Sequence, residues 1–271
     1  MTDRHDPPRW LSFSRALVGY IGYGLGGVVF LVLLLPVSAI VGFAPTLRKK
    51  ALRTIFRLYC AFLTRAYLPV LQLYRVKETS GLHRSQVHEP VVYVANHRGR
   101  LDGPLLLGVI RNTGVIIKQL YARQPVYSAF VKHLDFVNVD PGSLESLADA
   151  LKRCRDLVHN GTNLLVFPEG TRAASGKLLP FRDFAFRIAI HANVPVVPVV
   201  VHSDLPFMAK IKGSHFPRRK FTYRVRFLAP VMRQENETAG ELAERVRQRL
   251  ATELARLDRG TVWEDRREGG T

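Results

Sequence analysis

A long apolar segment near the N-terminus dominates the hydropathy pattern. Residues 16–47 contain no charged side chain, and their middle is an unbroken apolar run. As one straight helix this segment would measure roughly 48 Å at about 1.5 Å per residue, which exceeds the ~30 Å hydrocarbon layer of a bilayer. Five glycines in its first half and Pro36 in its middle are expected to loosen and interrupt that helix. The pattern predicts a membrane segment, either a tilted span or a helical hairpin within one leaflet, rather than a cleaved signal peptide, whose apolar core is shorter.

A basic amphipathic pattern follows this segment. Across residues 48–74, apolar side chains recur three and four positions apart, while Arg53, Arg57 and Arg65 occupy the remaining face. That pattern is typical of a helix lying on an anionic bilayer, although a core helix of a soluble protein has the same periodicity. We favour the membrane, because the uncharged segment directly precedes it. The Lys and Arg residues after residue 47 place the downstream domain on the cytoplasmic side by the positive-inside rule.

Strand-like and helix-like patterns alternate in the rest of the chain, after a predicted loop at 81–83. Short apolar runs predict strands, and apolar residues three or four apart predict helices. The predicted strands cover 91–95, 114–118, 136–139, 164–167, 194–201 and 223–228. The predicted helices cover 105–110, part of 121–133, 143–159, 181–192 and 238–258. Such alternation indicates an α/β fold with a mostly parallel central sheet flanked by helices.

Three local signals refine these predictions. Ser143 is a suitable N-cap for the helix that follows it. The apolar run 194–201 contains Pro195 and Pro198, which require an edge strand or a bulge. The last helix places four apolar residues on one face, namely Leu242, Val246, Leu250 and Leu254.

The patterns divide the chain into five parts. They are a polar N-terminus, 1–15; an apolar, helical membrane-docking segment, 16–47; a basic amphipathic helix with a linker, 48–80; the α/β domain, 81–235; and a C-terminal amphipathic helix with a charged tail, 236–271.

Composition narrows the choice of partner and compartment. The formal net charge is +18 while 47% of the residues are hydrophobic, so we expect an anionic partner such as acidic lipid, an acidic carrier or nucleic acid. No recognisable nucleic-acid module is present. The two cysteines, Cys60 and Cys154, lie in no metal-ligand spacing, which predicts a reducing compartment, no disulfide and no bound metal.

The first candidate for chemistry follows the predicted strand 91–95. His97 and Asp102 lie five positions apart, immediately after this strand. A carboxylate that returns toward an imidazole suits general-base catalysis, because it orients the ring and stabilises the imidazolium. The alternative is that Asp102 only caps the next helix.

A second polar cluster follows the strand 164–167. It contains Glu169, Gly170, Thr171 and Arg172. In an open α/β sheet, sites form where strand ends converge, so the two clusters are expected to face one crevice.

The two clusters together resemble the motifs of the glycerolipid acyltransferase family. The chain has His-x4-Asp and, about seventy residues later, Phe-Pro-Glu-Gly-Thr-Arg. The resemblance covers about residues 75–235 and implies that 81–235 is the acyltransferase domain. It also implies that His97 is the general base, that Asp102 orients it, and that an acceptor hydroxyl attacks an acyl thioester directly. No serine or cysteine nucleophile is then needed, consistent with the absence of a Gly-x-Ser-x-Gly elbow.

The same resemblance implies a substrate-binding set. It comprises Glu169, Gly170, Thr171, Arg172, Lys118 and Arg100, with Arg172 as a bidentate clamp on a phosphate. No cofactor is expected, because the acyl thioester of acyl carrier protein or coenzyme A is a substrate. The chain departs from the family pattern at three places: Lys118 lies one position late, Pro141 follows Asp140 where an arginine is frequent, and Phe184 replaces a usual glycine.

The leading hypothesis is a membrane-bound O-acyltransferase that acts on a lysophospholipid. The acceptor we expect is 1-acyl-sn-glycerol-3-phosphate, which would give phosphatidate. The alternatives are another lysolipid, such as a lyso-ornithine lipid, or a non-catalytic basic membrane tether or nucleic-acid binder. The expected location is a membrane, with the catalytic domain on its cytoplasmic side, which is the inner membrane if the source is bacterial.

Overall fold

The structure is a computed structural model that describes residues 8–41, 43–71, 73–78, 90–174, 176–211, 214 and 220–268. The predicted loop at 81–83 lies outside the described residues.

The described strands form one seven-stranded sheet with the order β1-β7-β6-β2-β5-β3-β4. Every neighbouring pair is parallel except β6 and β7, so the predicted α/β fold with a mostly parallel sheet is confirmed. The strands are β1 (Tyr74–Glu78), β2 (Val92–Ala95), β3 (Thr113–Lys118), β4 (Val137–Val139), β5 (Asn163–Val166), β6 (Val196–Ser203) and β7 (Phe221–Phe227).

Helices precede, interrupt and follow the sheet. They are α1 (Arg9–Val41), α2 (Pro45–Phe62), α3 (Leu68–Val70), α4 (Asp102–Val109), α5 (Gln119–Ala122), α6 (Pro125–His133), α7 (Leu144–His159), α8 (Phe184–Ala192), α9 (Ala239–Asp258) and α10 (Val262–Glu268). A π-helical turn, Leu63–Tyr67, joins α2 to α3.

Apolar residues cover both faces of the sheet. Along β2, Tyr93 and Ala95 belong to the core shared with α1, α2, α4 and α6, whereas Val92 and Val94 belong to the core shared with α7, α8 and α9. Alternate side chains of a strand point to opposite faces, so a strand buried on both sides is apolar throughout. This explains why the central strands are continuous apolar runs in the sequence.

Local signals predicted most helix boundaries. The hydroxyl of Ser143 accepts the N–H of Ser146, and Thr238 forms a capping box with Glu241 at the start of α9. All four apolar residues predicted for the inner face of α9 are buried. Strand β1 is not among the predicted strands, although its buried Tyr74 and exposed Arg75 begin the alternation expected of a strand.

The prediction that the prolines of 194–201 require an edge or a bulge is wrong. Strand β6 lies between β7 and β2, and all of its residues are buried. In a strand, the N–H and C=O of one residue point to the same side. The carbonyl of Pro198 accepts the N–H of Leu228, so the N–H that this proline lacks would also have pointed toward β7. The antiparallel ladder with β7 begins at the next residue, Val199, so Pro198 removes a donor only at the end of that ladder.

The predicted interruption of the N-terminal helix is also wrong. Helix α1 continues through the glycines and Pro36. A Cβ added at Gly22 or Gly26 would lie 2.2 or 2.1 Å from the rings of Tyr67 and Tyr59, respectively. The Tyr59 hydroxyl donates to the Gly22 carbonyl at 2.6 Å. These glycines therefore form a contact surface for tyrosines rather than flexible points.

The first two helices carry both buried and exposed apolar side chains. The stretch Arg9–Leu33 has a mean hydropathy of 2.0 and, by length and composition, is the one candidate span among the described residues. Its exposed side includes Trp10, Leu17, Ile21, Leu25, Val28 and Val32. In α2, Leu52 is buried whereas Leu58 and Phe62 are exposed.

Candidate active site

The two polar clusters of the sequence lie at the ends of neighbouring strands. His97 follows β2 and Glu169 follows β5, and these strands pair in parallel. The carboxyl ends of parallel strands share one edge of a sheet, so the two loops meet there. The Ala173 N–H donates to the His97 carbonyl at 2.8 Å and joins the loops directly.

His97 and Asp102 form a hydrogen-bonded pair. The distance from His97 Nδ1 to Asp102 Oδ2 is 2.9 Å. The imidazole side chain is 23% exposed, the carboxylate is buried, and the Phe167 ring lies 4.4 Å from the imidazole centroid. Because Nδ1 faces the carboxylate, Nε2 is the nitrogen left to accept a proton.

Asp102 also holds the main chain of its own loop. Its Oδ2 accepts the N–H groups of Arg98 and Gly99, both at 2.8 Å. It is the first residue of α4, but no side chain caps this helix. The alternative interpretation, that Asp102 only caps the helix, is therefore wrong.

The carboxylate of Glu169 is hydrogen-bonded to main-chain N–H groups. Its Oε1 accepts the His97 N–H at 2.7 Å, and its Oε2 accepts the Leu179 N–H at 2.9 Å. Burial raises the pKa of Glu169 to about 7, although these N–H groups favour the charged form. The structure thus places Glu169 beneath the His97 loop.

The rest of the second cluster faces outward to different degrees. Gly170 has a φ of 64°, a left-handed turn conformation that glycine adopts without strain. Thr171 is exposed. The Arg172 Nη1 donates to the Met208 carbonyl at 2.9 Å, and the Arg100 N–H donates to the same carbonyl at 3.1 Å. Arg172 and the main chain of Arg100 therefore meet at one point.

Lys118 is not brought into direct contact with this group. It is exposed at the carboxyl end of β3, beyond β5 from His97. Among the described residues, no hydrogen bond or ion pair joins the side chain of Lys118 or Arg100 to the site.

Of the departures from the family pattern, Phe184 packs against the core shared with α7, α8 and α9, and the Asp140 carboxylate accepts the N–H of Gly142 in a turn.

Two residues beside His97 make buried contacts that the sequence did not predict. Asn96 forms two hydrogen bonds with the backbone of Val201, at 2.9 and 2.8 Å, and so ties the end of β2 to β6. Arg98 is buried among residues of the C-terminal helices. A polar residue at the end of an apolar strand was the available signal for Asn96, whereas nothing local indicates the partners of Arg98.

The described part of the chain contains no group of three or more His, Cys, Asp or Glu residues arranged to hold a metal ion. The predictions that the protein uses no metal and no cofactor stay predictions.

Comparison with known proteins identifies what the chain is similar to. The family model described as Acyltransferase matches residues 76–202. The chain is 38% identical over 112 residues to the chloroplastic 1-acyl-sn-glycerol-3-phosphate acyltransferase BAT2 of Brassica napus, covering 41% of this chain and 33% of that protein. It is 30% identical over 148 residues to a probable 1-acyl-sn-glycerol-3-phosphate acyltransferase of Mycoplasma genitalium, covering 52% and 55%. The chain thus spans between a third and about half of the length of these relatives.

A solved structure resembles nearly the whole chain. The crystal structure of the 1-acyl-sn-glycerophosphate (LPA) acyltransferase PlsC from Thermotoga maritima superposes with a TM-score of 0.71 and 20% identity. The superposition covers 92% of this chain and 96% of that one. At this identity the likeness establishes the fold.

Proposed function

We propose that this protein, whose residues 76–202 match the Acyltransferase family model, transfers a fatty acyl group from an acyl thioester to a lysophospholipid. The acceptor we propose is 1-acyl-sn-glycerol-3-phosphate, and the product is phosphatidate. The observation that carries the proposal is the His97–Asp102 pair, whose Nδ1–Oδ2 distance is 2.9 Å. Its imidazole is partly exposed at the edge of the sheet, where the loop that contains Arg172 also lies.

The proposed reaction needs one base and no covalent intermediate. His97 Nε2 removes the proton of the acceptor hydroxyl while its oxygen attacks the thioester carbonyl. The carbon–oxygen bond forms, the carbon–sulfur bond breaks, and the imidazolium returns the proton to the departing thiolate. Asp102 stabilises the imidazolium, as a buried carboxylate beside a catalytic histidine does.

The cations near the pair are suited to the acceptor phosphate. The Arg172 guanidinium donates one hydrogen bond to Met208 and has further N–H groups on the same planar fork. Arg100 and Lys118 are exposed cations at the same edge of the sheet and can add charge without forming the first contact. Thr171 is exposed beside them, whereas Gly170 allows the turn and Glu169 holds it.

We extend the proposal to the donor and the membrane. Acyl carrier protein and coenzyme A are both anionic, which suits a chain of net charge +18. The exposed apolar side of α1 suits the hydrocarbon of a bilayer. The domain would then act at the cytoplasmic surface, where acyl thioesters and lysolipids meet.

The test is a transfer assay with the full-length protein in vesicles. Labelled acyl-coenzyme A and acyl carrier protein thioester are supplied in turn, with lysophosphatidate as acceptor, and labelled phosphatidate is measured. We expect product with lysophosphatidate and a loss of about a hundredfold or more in rate for His97→Ala. A wild-type protein that forms no product would favour the tether, and a rate that His97→Ala leaves unchanged would reject His97 as the base.

A second acceptor class is worth testing, because Pro141 removes a cation that the family often has there. A lyso-ornithine lipid lacks the phosphate that Arg172 is proposed to bind. Turnover of that acceptor alone would reject lysophosphatidate as the substrate while keeping acyl transfer.

A further inference from the structure

Arg98, between the proposed base and Gly99, points away from the site into the protein. It is only 5% exposed. Its Nη1 and Nη2 each donate to one oxygen of Asp258 at 2.7 Å, and Nη2 also donates to the Gly176 carbonyl at 2.6 Å. The guanidinium carbon lies 4.5 Å from the centroid of the Trp263 ring. A buried arginine therefore has hydrogen-bond partners on two of its nitrogens and an aromatic face against its plane.

Two partners of Arg98, Asp258 and Trp263, come from the C-terminal helices, outside the segment that matches the family model. Asp258 ends α9, and Trp263 lies in α10. Trp263 is fully buried and its Nε1 donates to the Ser203 carbonyl at 2.7 Å, at the end of β6. The turn between the helices is closed by the Thr261 hydroxyl, which donates to the Asp258 carbonyl at 2.7 Å. The turn thus presents Asp258 and Trp263 to Arg98 as a fixed pair.

Stability alone does not account for this arrangement. A carboxylate at the C-terminal end of a helix is disfavoured by the helix dipole. Buried ion pairs are often no more stabilising than apolar residues of the same volume. Burial opposes the charge of Asp258, yet its pKa is lowered to about 2 by the hydrogen bonds from Arg98 and by the nearby His202 imidazole. His202 Nε2 lies 3.3 Å from Asp258 Oδ1, so two cationic or polar groups converge on this carboxylate.

The network holds both loops of the candidate site. The Arg98 main chain is bound from one side by Asp102, and its side chain is bound from the other side by Asp258. Its bond to Gly176 reaches the segment that follows Arg172, and Glu169 holds the Leu179 N–H further along that segment. One guanidinium therefore connects the His97 loop, the Arg172 loop and the C-terminal helices.

We propose that Arg98 is a positioning residue for acyl transfer, and that Asp258 and Trp263 anchor it so that the C-terminal helices set the geometry of the His97–Asp102 pair. The proposal rests on the proposed function only for its kinetic readout. Loosening the anchor shifts the base relative to the acceptor hydroxyl, and misplacement of reacting groups by about 1 Å costs about a hundredfold in rate. Binding of the acceptor phosphate by Arg172 is expected to persist.

The test compares Asp258→Asn with a control on the same helix. Glu253→Gln removes a charge from α9 that pairs with Arg226 and Arg256, away from the site. We expect kcat to fall by about tenfold to a hundredfold in Asp258→Asn, with the KM of donor and acceptor within about threefold of wild type. Glu253→Gln is expected to keep kcat within about twofold even where its loss of Tm is similar. A kcat for Asp258→Asn within about twofold of wild type, or a loss that the control reproduces, overturns the proposal.

Hydrogen exchange supplies a readout that does not depend on catalysis. The N–H groups of Arg98 and Gly99 are held by Asp102, so a loosened loop exchanges them faster. We expect peptides covering 97–102 to exchange at least about tenfold faster in Asp258→Asn, while peptides from β5 are unchanged. Unchanged exchange at 97–102 overturns the anchoring whether or not the wild type transfers acyl groups. A wild type that is inactive would reject the proposed function instead.

Trp263→Phe serves where Asp258→Asn does not fold. It keeps an aromatic ring against Arg98 but removes the hydrogen bond to Ser203. We expect kcat to fall and exchange at 97–102 to become faster, as in Asp258→Asn, but by smaller factors. A variant that lowers Tm yet leaves both quantities as in wild type overturns the proposal.

Discussion

The carboxylate of Glu169 accepts the main-chain N–H of His97 at 2.7 Å, although the two residues are 72 positions apart in the chain. The loop after β5 thus supports the loop after β2 from below. The second oxygen of Glu169 holds Leu179, so one buried side chain joins three segments. Any change in its protonation is expected to reach the candidate base.

Glu169→Gln should flatten the dependence of stability on pH. Burial raises the pKa of Glu169 from 4.5 to about 7, so between these values the folded protein binds a proton that the unfolded chain has lost. The stabilising contribution is complete below the unfolded pKa and is lost as pH rises through the folded one. The unfolding free energy of the wild type, measured relative to that of Glu169→Gln, should therefore fall by on the order of 3 kcal/mol as pH rises across that window. Urea unfolding from pH 4.5 to 8 measures it.

The exposed Glu145 provides the control for that experiment. Glu145→Gln removes a carboxyl from the first turn of α7 without touching the site. The fall in unfolding free energy with pH that is due to Glu169 is the part that Glu145→Gln does not change. A profile for Glu169→Gln that follows wild type as closely as that of Glu145→Gln would contradict the raised pKa of Glu169.

Asp102→Asn is expected to reduce kcat by about a hundredfold or more with little change in KM. The substitution keeps the size of the side chain but removes the charge that stabilises the imidazolium, and it weakens the acceptor of two loop N–H groups. Steady-state kinetics with both substrates measure the effect. Asp183→Asn, an exposed change before α8, should leave kcat intact. Near-normal turnover by Asp102→Asn would show that the pair is structural.

Arg172→Lys is expected to raise the KM for lysophosphatidate by about tenfold or more. A charge-assisted hydrogen bond contributes about 1.5–3 kcal/mol, and lysine lacks the planar fork that matches a phosphate. Arg187→Ala, at a distant exposed ion pair, is the control. The KM for the acyl donor should be unchanged in both variants. If donor affinity falls instead, Arg172 binds the thioester partner and not the acceptor.

Gly108→Ala should destabilise the protein by about 1–3 kcal/mol. A Cβ at this position would lie 2.9 Å from the backbone nitrogen of Ala61, so α2 and α4 would have to move apart. Gly103→Ala on the same helix meets nothing within 4 Å and should be neutral or stabilising. Chemical unfolding of both variants separates close packing from helix propensity. Equal effects at the two positions would contradict the close contact between α2 and α4.

Local patterns in the sequence were enough to predict six of the seven described strands, the polar residues after β2 and β5, and most helix boundaries. The apolar runs before His97 and Glu169 predicted two parallel strands with chemistry at their ends. The N-cap role of Ser143 and the apolar face of α9 were also predicted correctly. Helix capping and helical periodicity involve residues only a few positions apart, so both are visible in the local sequence.

What each buried position faces depends on contacts between distant parts of the chain, which local patterns do not encode. Hydropathy indicated that β6 is buried, but the position of β7 explains why Pro198 is tolerated inside the sheet. The glycines of α1 predicted flexibility, whereas the rings of Tyr59 and Tyr67 fill the space that they leave. Arg98 pairs with Asp258 across 160 positions of sequence, and no local pattern carries information about so distant a partner. Chain folding brings such charges together, and that proximity separates Arg172, which is proposed to bind substrate, from Arg98, whose side chain is held inside the protein.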